Sequence, residues 1–349
     1  MTRFLILVLL CAQPAKAAHL LKALTYNVNG IPVVTPDWPA KRDAIGAKLK
    51  EGGYDLIAVQ EAWSDEDAQK MISASGLPYS RRYATRWGIG TGLVVMSRYP
   101  IIATAQREFT CRPSALRWMT GEPMANKGAL MVRVETPKGP LDVYTAHPVA
   151  AYPDASFTTL RWTQLFELAE MVLENSAGRP FVILGDLNTA PGDPGYKFLV
   201  DLLGLDDACL DHGKDACGIT NAEDQARIDH VLAARGPGRF ASAKTAFAGL
   251  IPGTQLAYSD HLAIEADIDS RVLSRKPIPN IKARADALTA LIARLSRLSD
   301  AMYLREEARA WVPVYGFLLM SRYDHQREQL AAISARAESA RIRVLQAAP

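Results

Sequence analysis

The chain has 349 residues, of which 49% are hydrophobic and 22% are charged. These values exclude a disordered chain, and the length suits one large domain with an extension or two domains. The formal net charge is +3, but residues 271–349 carry +7 and the preceding 270 residues carry −4. A nucleic-acid enzyme would carry its positive charge around its active site, so this distribution argues against a nucleic-acid substrate.

The first 17 residues have the composition of a secretory signal peptide. One arginine precedes an apolar run from Phe4 to Leu10, and Ala15-Lys16-Ala17 matches an A-x-A cleavage site. We therefore expect removal of residues 1–17 and a secreted or periplasmic protein, the alternative being a buried first strand. Cys11 does not indicate lipidation, because leucine precedes it where a lipid-anchoring signal has a small residue.

From residue 20 onward, strand and helix patterns alternate along the chain. The predicted strands are 20–28, 54–62, 91–101, 129–136, 140–147, 179–186, 226–234 and 261–268. The predicted helices are 38–51, 64–75, 159–176 and 195–204. The helix at 64–75 has a clear start, with Ser64 as N-cap and Asp67 in the capping position. Mixed strands with intervening helices favour an α/β fold in which packed sheets are covered by helices.

Cys209 and Cys217 flank a short polar stretch and are placed to close a small disulfide loop. Such a loop stabilises a domain by about 2–3 kcal/mol in the loop-entropy estimate. Cys111 has no obvious partner, and the cysteine and histidine spacings match no zinc site.

Polar side chains follow most of the predicted strands at the point where each strand ends. They are Asn27, Asn29, Gln60, Glu61, His147, Asp186, Asn188, Asp229, Asp260 and His261. Sites are usually built just past strand ends, and carboxylate and amide oxygens are the ligands that Mg²⁺ prefers. A nearby histidine can transfer a proton. The set therefore predicts metal-assisted hydrolysis of a phosphoester, although the sequence GDLN taken alone is also consistent with a simple Asx turn.

Two further residues near these strands, Lys127 and His230, are candidates for a substrate-binding and a structural role, respectively. Lys127, in NKGAL, is followed by glycine and could bring an ammonium group to a phosphate, or it could face solvent at the entry of a hairpin. His230 is adjacent to Asp229 on one strand and should point to the opposite face, so we expect a structural histidine.

The order of these motifs resembles the endonuclease/exonuclease/phosphatase superfamily over residues 20–270, most closely its bacterial neutral sphingomyelinases. The matching motifs are YNVNGIP, YDLIAVQEAWSDED, GTGLVVMSRYPI, YTAHPVAAY, ILGDLNTAPGD, RIDHVL and YSDHLAI. Arg161 and Gln164 stand one helical turn apart, as in the R-x-x-Q of that family. Val149 stands where many of those enzymes have a second histidine, which weakens the inference to a lipid substrate.

The resemblance implies a four-layer α/β sandwich and a metal-dependent phosphoric diester hydrolase of the sphingomyelinase C type. Its cofactor would be Mg²⁺, with Mn²⁺ or Co²⁺ as substitutes. Its substrate would be a phospholipid in a membrane surface, cleaved to ceramide and phosphocholine. A secreted deoxyribonuclease, a phosphoinositide or phosphomonoester phosphatase, and an inert lipid-binding module are the alternatives.

The resemblance also implies a role for each candidate residue. Asn27, Glu61 and Asp260 would hold the metal, and Asn29 and Lys127 would bind substrate. Asp186 and Asn188 would orient the attacking water and a phosphate oxygen. His261, oriented by Asp229, is the candidate general base. His147 would stabilise the transition state or protonate the leaving group, and the identity of the base stays open.

Residues 271–349 differ in character from the rest and are expected to form a basic, amphipathic helical extension. After a linker-like stretch, apolar residues recur at helical spacing, at Leu288, Leu291, Ile292, Leu295, Leu298 and Met302. The apolar run at 311–320 is too short to span a bilayer as a helix. It belongs either to a helical extension packed on the main domain or to a hairpin lying in a membrane interface.

We expect the protein to be a monomer.

Overall fold

The computed structural model describes residues 20–31, 34–83, 90–113, 122, 125–152, 155–176, 178–211, 215–236, 239–273, 280–309 and 313–347. The predicted signal peptide lies outside these ranges. For residues 299–324 only the backbone of the helices is described.

Two six-stranded mixed sheets form the centre of the fold. The first has the order β11-β12-β1-β2-β4-β3 and the second β5-β6-β7-β8-β10-β9. The first sheet consists of β1 (Leu20–Gly30), β2 (Leu56–Ala62), β3 (Tyr79–Arg82), β4 (Val94–Ser97), β11 (Phe240–Ala246) and β12 (Ala263–Asp269). The second consists of β5 (Ile101–Glu108), β6 (Gly128–Thr136), β7 (Gly139–Ala146), β8 (Phe181–Asp186), β9 (Leu205–Asp207) and β10 (Asp229–Ala234). One strand pair in each sheet is parallel, β1 with β2 and β7 with β8.

Helices cover both outer faces. They are α1 (Trp38–Glu51), α2 (Asp65–Ser75), α3 (Ala155–Asn175), α4 (Pro194–Leu203), α5 (Ser270–Leu273), α6 (Ile281–Arg309) and α7 (Pro313–Gln346). The start of α2 is confirmed, because the Asp67 backbone N–H donates to Ser64 Oγ at 3.0 Å.

Alternate residues of each central strand point into different cores. In β1, Ala23 faces the core between the sheets, whereas Leu24 faces the core under α1 and α2. A third core lies between the second sheet and the helices α3, α4, α6 and α7. The four-layer α/β sandwich predicted from the sequence is therefore confirmed.

The prediction of one strand over residues 91–101 was wrong. The strand ends at Ser97, and β5 begins at Ile101 in the other sheet. Pro100 lies between them and lacks the backbone N–H that a continuous ladder would need. The sequence also did not predict β3, β5, β9 and β11, which are the edge strands of the two sheets and lack a continuous apolar run.

The C-terminal helices pack on the second sheet's helical layer. Leu288, Leu291 and Leu295 of α6 are buried in the third core, together with Leu330 and Ile333 of α7. The predicted apolar face of α6 is therefore confirmed at these positions. Within the described part of the chain, no helix is long and apolar enough to cross a membrane.

The disulfide Cys209–Cys217 is present, as the sequence predicted. Cys111 is a free thiol in the third core, and burial raises its pKa to about 12. This thiol is therefore unreactive near neutral pH.

Candidate active site

The predicted site residues meet where strands of the two sheets end side by side. The parallel pairing of β1 and β2 puts Asn27 opposite Gln60, one residue before Glu61. In the other sheet, the antiparallel pairing of β8 and β10 puts Asp186 opposite Asp229. Asn27 joins the two sheets, since its Nδ2 donates to Glu61 Oε1 and to Asp186 Oδ2, each at 2.9 Å.

Three site residues adopt the left-handed backbone conformation, which is normally found at glycine. The φ angles are 48° at Asn29, 62° at Glu61 and 51° at Asn188. Such conformations cost about 1–3 kcal/mol each and cluster at functional sites. Gly92 permits the bend at Glu61, because a Cβ at Gly92 would lie 2.9 Å from Glu61 Cα.

His261 is held between a carboxylate and an amide. Its Nδ1 lies 2.9 Å from Asp229 Oδ2, and its Nε2 lies 2.9 Å from Asn221 Nδ2. Burial would lower the pKa of His261, but Asp229, Asp186 and Asp260 together raise it above its usual range. Burial and the Asp229 charge likewise raise the pKa of Asp186. The predicted orientation of His261 by Asp229 agrees with this geometry.

His147 and Lys127 form the opposite wall. His147 Nε2 lies 3.5 Å from Asp186 Oδ2 and 3.8 Å from Glu61 Oε1. Lys127 Nζ lies 3.1 Å from His147 Nε2. Burial, the Lys127 ammonium and His261 keep the pKa of His147 well below its usual range, so the ring is neutral. Lys127 is only 5% exposed, so the alternative of a solvent-facing lysine was wrong.

Asn188 is bound locally. The Asn188 backbone N–H donates to Asp186 Oδ1 at 2.9 Å, which forms the Asx turn considered above as the alternative for GDLN, and Asn188 Nδ2 donates to Pro148 O at 3.0 Å. The turn leaves Asp186 Oδ2 facing Asn27 and both histidines.

Asn29 and Asp260 lie farther out than the other predicted residues. The Asn29 backbone carbonyl accepts from Thr35 Oγ1 at 2.6 Å, in a turn after β1. Asp260 is exposed, and its carboxylate lies 3.1 Å from the hydroxyl of Ser259.

Residues 24–261 match the model described as the Endonuclease/Exonuclease/phosphatase family. The chain belongs to this family. The superfamily predicted from the sequence motifs is therefore confirmed.

Three relatives of this family member carry names that refer to sphingolipids. A candidate neutral sphingomyelinase of Drosophila melanogaster is 29% identical, over 75% of this chain and 64% of its own length. The inositol phosphosphingolipids phospholipase C of Saccharomyces cerevisiae is 30% identical, over 56% of this chain and 47% of its own. Sphingomyelin phosphodiesterase 2 of Rattus norvegicus is 26% identical, over 86% of this chain and 77% of its own length. The chain spans less than two thirds of the first two proteins.

Two solved structures share the fold. The beta toxin of Staphylococcus aureus superposes with a TM-score of 0.58 at 19% identity, covering 70% of this chain and 99% of the toxin. Sphingomyelinase C of Streptomyces griseocarneus superposes with a TM-score of 0.55 at 18% identity, covering 71% of this chain and 99% of that protein.

The donor set at the centre of the site fits a hard divalent cation. The carboxylates of Glu61 and Asp186 converge on one amide, and Asp229 Oδ1 is buried without a hydrogen-bond partner. Carboxylate oxygens of Asp186 and Asp229 and a nitrogen of His261 lie within 4.8 Å of one another. Hard oxygen donors at this density suit Mg²⁺. Asn27 presents Nδ2 to the carboxylates, because its Oδ1 accepts from the Asn29 N–H.

Two residues of the site lie outside the candidate residues predicted from the sequence. Asn221 contacts His261, and Trp63 Nε1 lies 3.4 Å from Glu61 Oε2. Trp63 directly follows Glu61 and Ala62, so its position could have suggested a role. Asn221 comes from a polar loop whose return to the site has no local signal in the sequence.

His230 has the structural role expected of it. Its Nδ1 lies 3.1 Å from Asp207 Oδ2, and its Nε2 lies 2.8 Å from the Thr189 carbonyl oxygen. It therefore supports, from the far side of β10, the loop that carries Asp186 and Asn188.

Proposed function

We propose that this chain is an Mg²⁺-dependent phosphodiesterase that hydrolyses sphingomyelin to ceramide and phosphocholine. The main supporting observation is the convergence of Glu61, Asp186 and two histidines in one buried site. The names of the relatives point to a phosphosphingolipid substrate. A family structure with bound magnesium ions, that of the beta toxin, supports the choice of metal.

The residues suggest how the reaction proceeds. Asp229 accepts the Nδ1–H of His261, so Nε2 can take a proton from a water molecule as its oxygen bonds to phosphorus. The bond between phosphorus and the ceramide oxygen then breaks, that oxygen takes a proton from solvent, and His261 releases its extra proton to solvent. Lys127 and His147 face the phosphoryl oxygens on which negative charge grows. Mg²⁺ held by Glu61 and its neighbours would supply further charge stabilisation.

The first test is phosphocholine release from sphingomyelin vesicles, with Mg²⁺ and with EDTA. Parallel assays use phosphatidylcholine vesicles and plasmid DNA, and His261→Ala serves as the blank. Release that requires both Mg²⁺ and His261, with intact DNA, is expected, and Mn²⁺ or Co²⁺ should restore activity after EDTA. Nicked DNA with untouched vesicles would contradict the substrate and favour a nuclease of the same family.

We also propose that residues 311–320 contact the membrane surface. The support is the apolar run with Trp311, Tyr315 and Phe317 within a strongly basic segment. Changing Trp311 and Phe317 to alanine should weaken vesicle hydrolysis while sparing a soluble phosphocholine ester. Leu345→Ala, at an exposed apolar position of α7, is the control. Equal loss on both substrates would contradict the membrane contact.

Export and a monomeric state complete the proposal. The support for export is the charged, apolar and small-residue pattern of residues 1–17. Expression of the full chain in a bacterial host should yield an extracytoplasmic protein that begins at Ala18, read by N-terminal sequencing. Light scattering of that protein should give the mass of one chain. Retention of Met1 on the folded protein would contradict the signal peptide.

A further inference from the structure

The turn between β2 and α2 begins at Glu61, whose backbone is strained. The φ angle of 62° at this residue lies in the left-handed region, and such a conformation persists only where surrounding contacts hold it. On one side, the Ala62 N–H donates to the Gly92 carbonyl at 3.0 Å. The direction of the Glu61 carboxylate therefore depends on what else holds residues 62–65.

Arg82, the last residue of β3, contacts this turn with its guanidinium group. Its Nη2 donates to the Trp63 carbonyl at 2.6 Å and to the Ala62 carbonyl at 3.3 Å. Its Nη1 forms an ion pair with Asp65, the first residue of α2. One guanidinium group thus joins the end of β2 to the start of α2.

The chemistry of Arg82 suits a contact that fixes one backbone conformation. The side chain is only 19% exposed, so water competes weakly for its hydrogen bonds. Hydrogen bonds from a charged donor are about twice as strong as those between neutral groups. A guanidinium group is planar and directs its N–H donors rigidly, so it can bind two carbonyls and a carboxylate at once.

We infer that Arg82 is a positioning residue for the metal-dependent reaction: it fixes the turn after β2 so that Glu61 presents its carboxylate to the site. This inference rests on the proposed function, in which Glu61 holds Mg²⁺. Arg82 acts through the backbone of residues 62 and 63 and lies outside every motif that the sequence analysis identified. Residues that orient a metal ligand typically change metal affinity or activity by about 10- to 100-fold when they are replaced.

Arg98 provides a matched control at the other end of the same strand. Its Nη2 donates to the carbonyls of Tyr54 and Gly53 at 3.0 and 3.3 Å, and its Nε donates to Asp55 Oδ1 at 2.6 Å. These residues lead into β2, at the end of the strand that is remote from Glu61. Arg98 therefore makes the same kind of contact without holding a site residue.

The test measures Mn²⁺ binding to the full chain by titration calorimetry, with Glu61→Gln as the blank. In Arg82→Met, the Kd for Mn²⁺ should rise at least about tenfold, because the ligand is no longer held in place. Arg82→Lys keeps the charge but loses the planar group, so its Kd should lie between those of Arg82→Met and the unmodified protein. Arg98→Met should leave the Kd unchanged. An unchanged Kd in Arg82→Met, or an equal rise in Arg98→Met, would overturn the inference.

A second readout does not need bound metal. Hydrogen exchange at the Ala62 N–H, measured in EDTA, should be faster in Arg82→Met than in the unmodified protein and unchanged in Arg98→Met. An unchanged rate in Arg82→Met would show that other contacts hold the turn, and the inference would fail. If the unmodified protein binds no Mn²⁺, or Glu61→Gln binds it equally well, the proposed metal site fails. The exchange comparison then still decides whether Arg82 fixes the turn.

Discussion

At the scale of single residues, the two buried histidines on either side of Asp186 have pKa values shifted in opposite directions. Burial, Lys127 and His261 lower the pKa of His147, whereas Asp229 and two further carboxylates outweigh burial and raise the pKa of His261. In the proposed reaction, the carboxylates around His261 would stabilise the imidazolium that forms when its Nε2 takes a proton from water. The source of the difference is the placement of one lysine and three aspartates.

Lys127 provides a direct test of this arrangement. Lys127→Met keeps the length of the side chain but removes the ammonium beside His147. We expect kcat/KM on a soluble phosphocholine ester to fall about 100-fold, as when a donor to a developing negative charge is lost. Lys138→Met, at an exposed lysine in the turn between β6 and β7, is the matched control. Equal activities of the two variants would contradict a role for Lys127 at the phosphate.

The sequence revealed those site residues whose positions follow from strand ends. Asp186 and Asp229 each end or begin a strand with a strong apolar pattern, so their meeting was predictable. The burial of Lys127 and the contact of Asn221 with His261 depend on how loops return to the site. Such contacts between distant segments leave no periodic pattern in the chain.

At the scale of secondary-structure elements, buried central strands were predictable and edge strands were not. β8 is buried at all six positions, whereas β11 has the sequence FASAKTA and is mostly exposed or half-buried. Short side chains that are mostly exposed or half-buried give no strong apolar signal. The pairing of β11 with β12, and not its own composition, makes it a strand.

A buried charge network joins β9 to β10 beneath the site. Asp207 Oδ2 lies 2.9 Å from Arg227 Nη1 and 3.1 Å from His230 Nδ1. Burial alone would raise the pKa of Asp207, but His230 and Arg227 outweigh it and hold the pKa well below its usual range. A lowered pKa stabilises the folded state above the unfolded value of about 4, and this stabilisation is lost as the pH falls through and below that value.

Asp207→Asn should therefore destabilise the protein most near neutral pH. Breaking a buried pair on one side costs about 3–5 kcal/mol, and the difference from the unmodified protein should shrink as the pH falls from 5 to 3. Urea unfolding at a series of pH values measures both quantities. Asp286→Asn, in an exposed pair with Lys282, should show little effect at any pH. A constant difference across this range would contradict the role of the Asp207 charge.

At the scale of the whole molecule, the C-terminal helices α6 and α7 contribute side chains to the third core, which lies against the second sheet. Leu288, Leu291 and Leu295 share a cluster with Phe166 of α3 and Leu199 of α4. On the other side, Arg336 of α7 pairs with Glu170 and lies 3.4 Å from Glu167 Oε1. Apolar and charged contacts together link the extension to α3, the helix that covers the second sheet.

Because of this packing, we expect removal of the extension to destabilise the whole domain. Deleting residues 271–349 should uncover the apolar surface of α3 and α4, and activity on soluble and vesicle substrates should fall together because the domain is destabilised. Leu291→Ala isolates the same contact with one side chain and should lower the free energy of unfolding by about 2–5 kcal/mol. Ile342→Ala, at a 44% exposed position of α7, should change it far less. A stable, fully active deletion variant would show that the extension is dispensable for the core. Loss of vesicle hydrolysis alone, with the soluble ester still cleaved, would instead assign its basic apolar segment to the membrane.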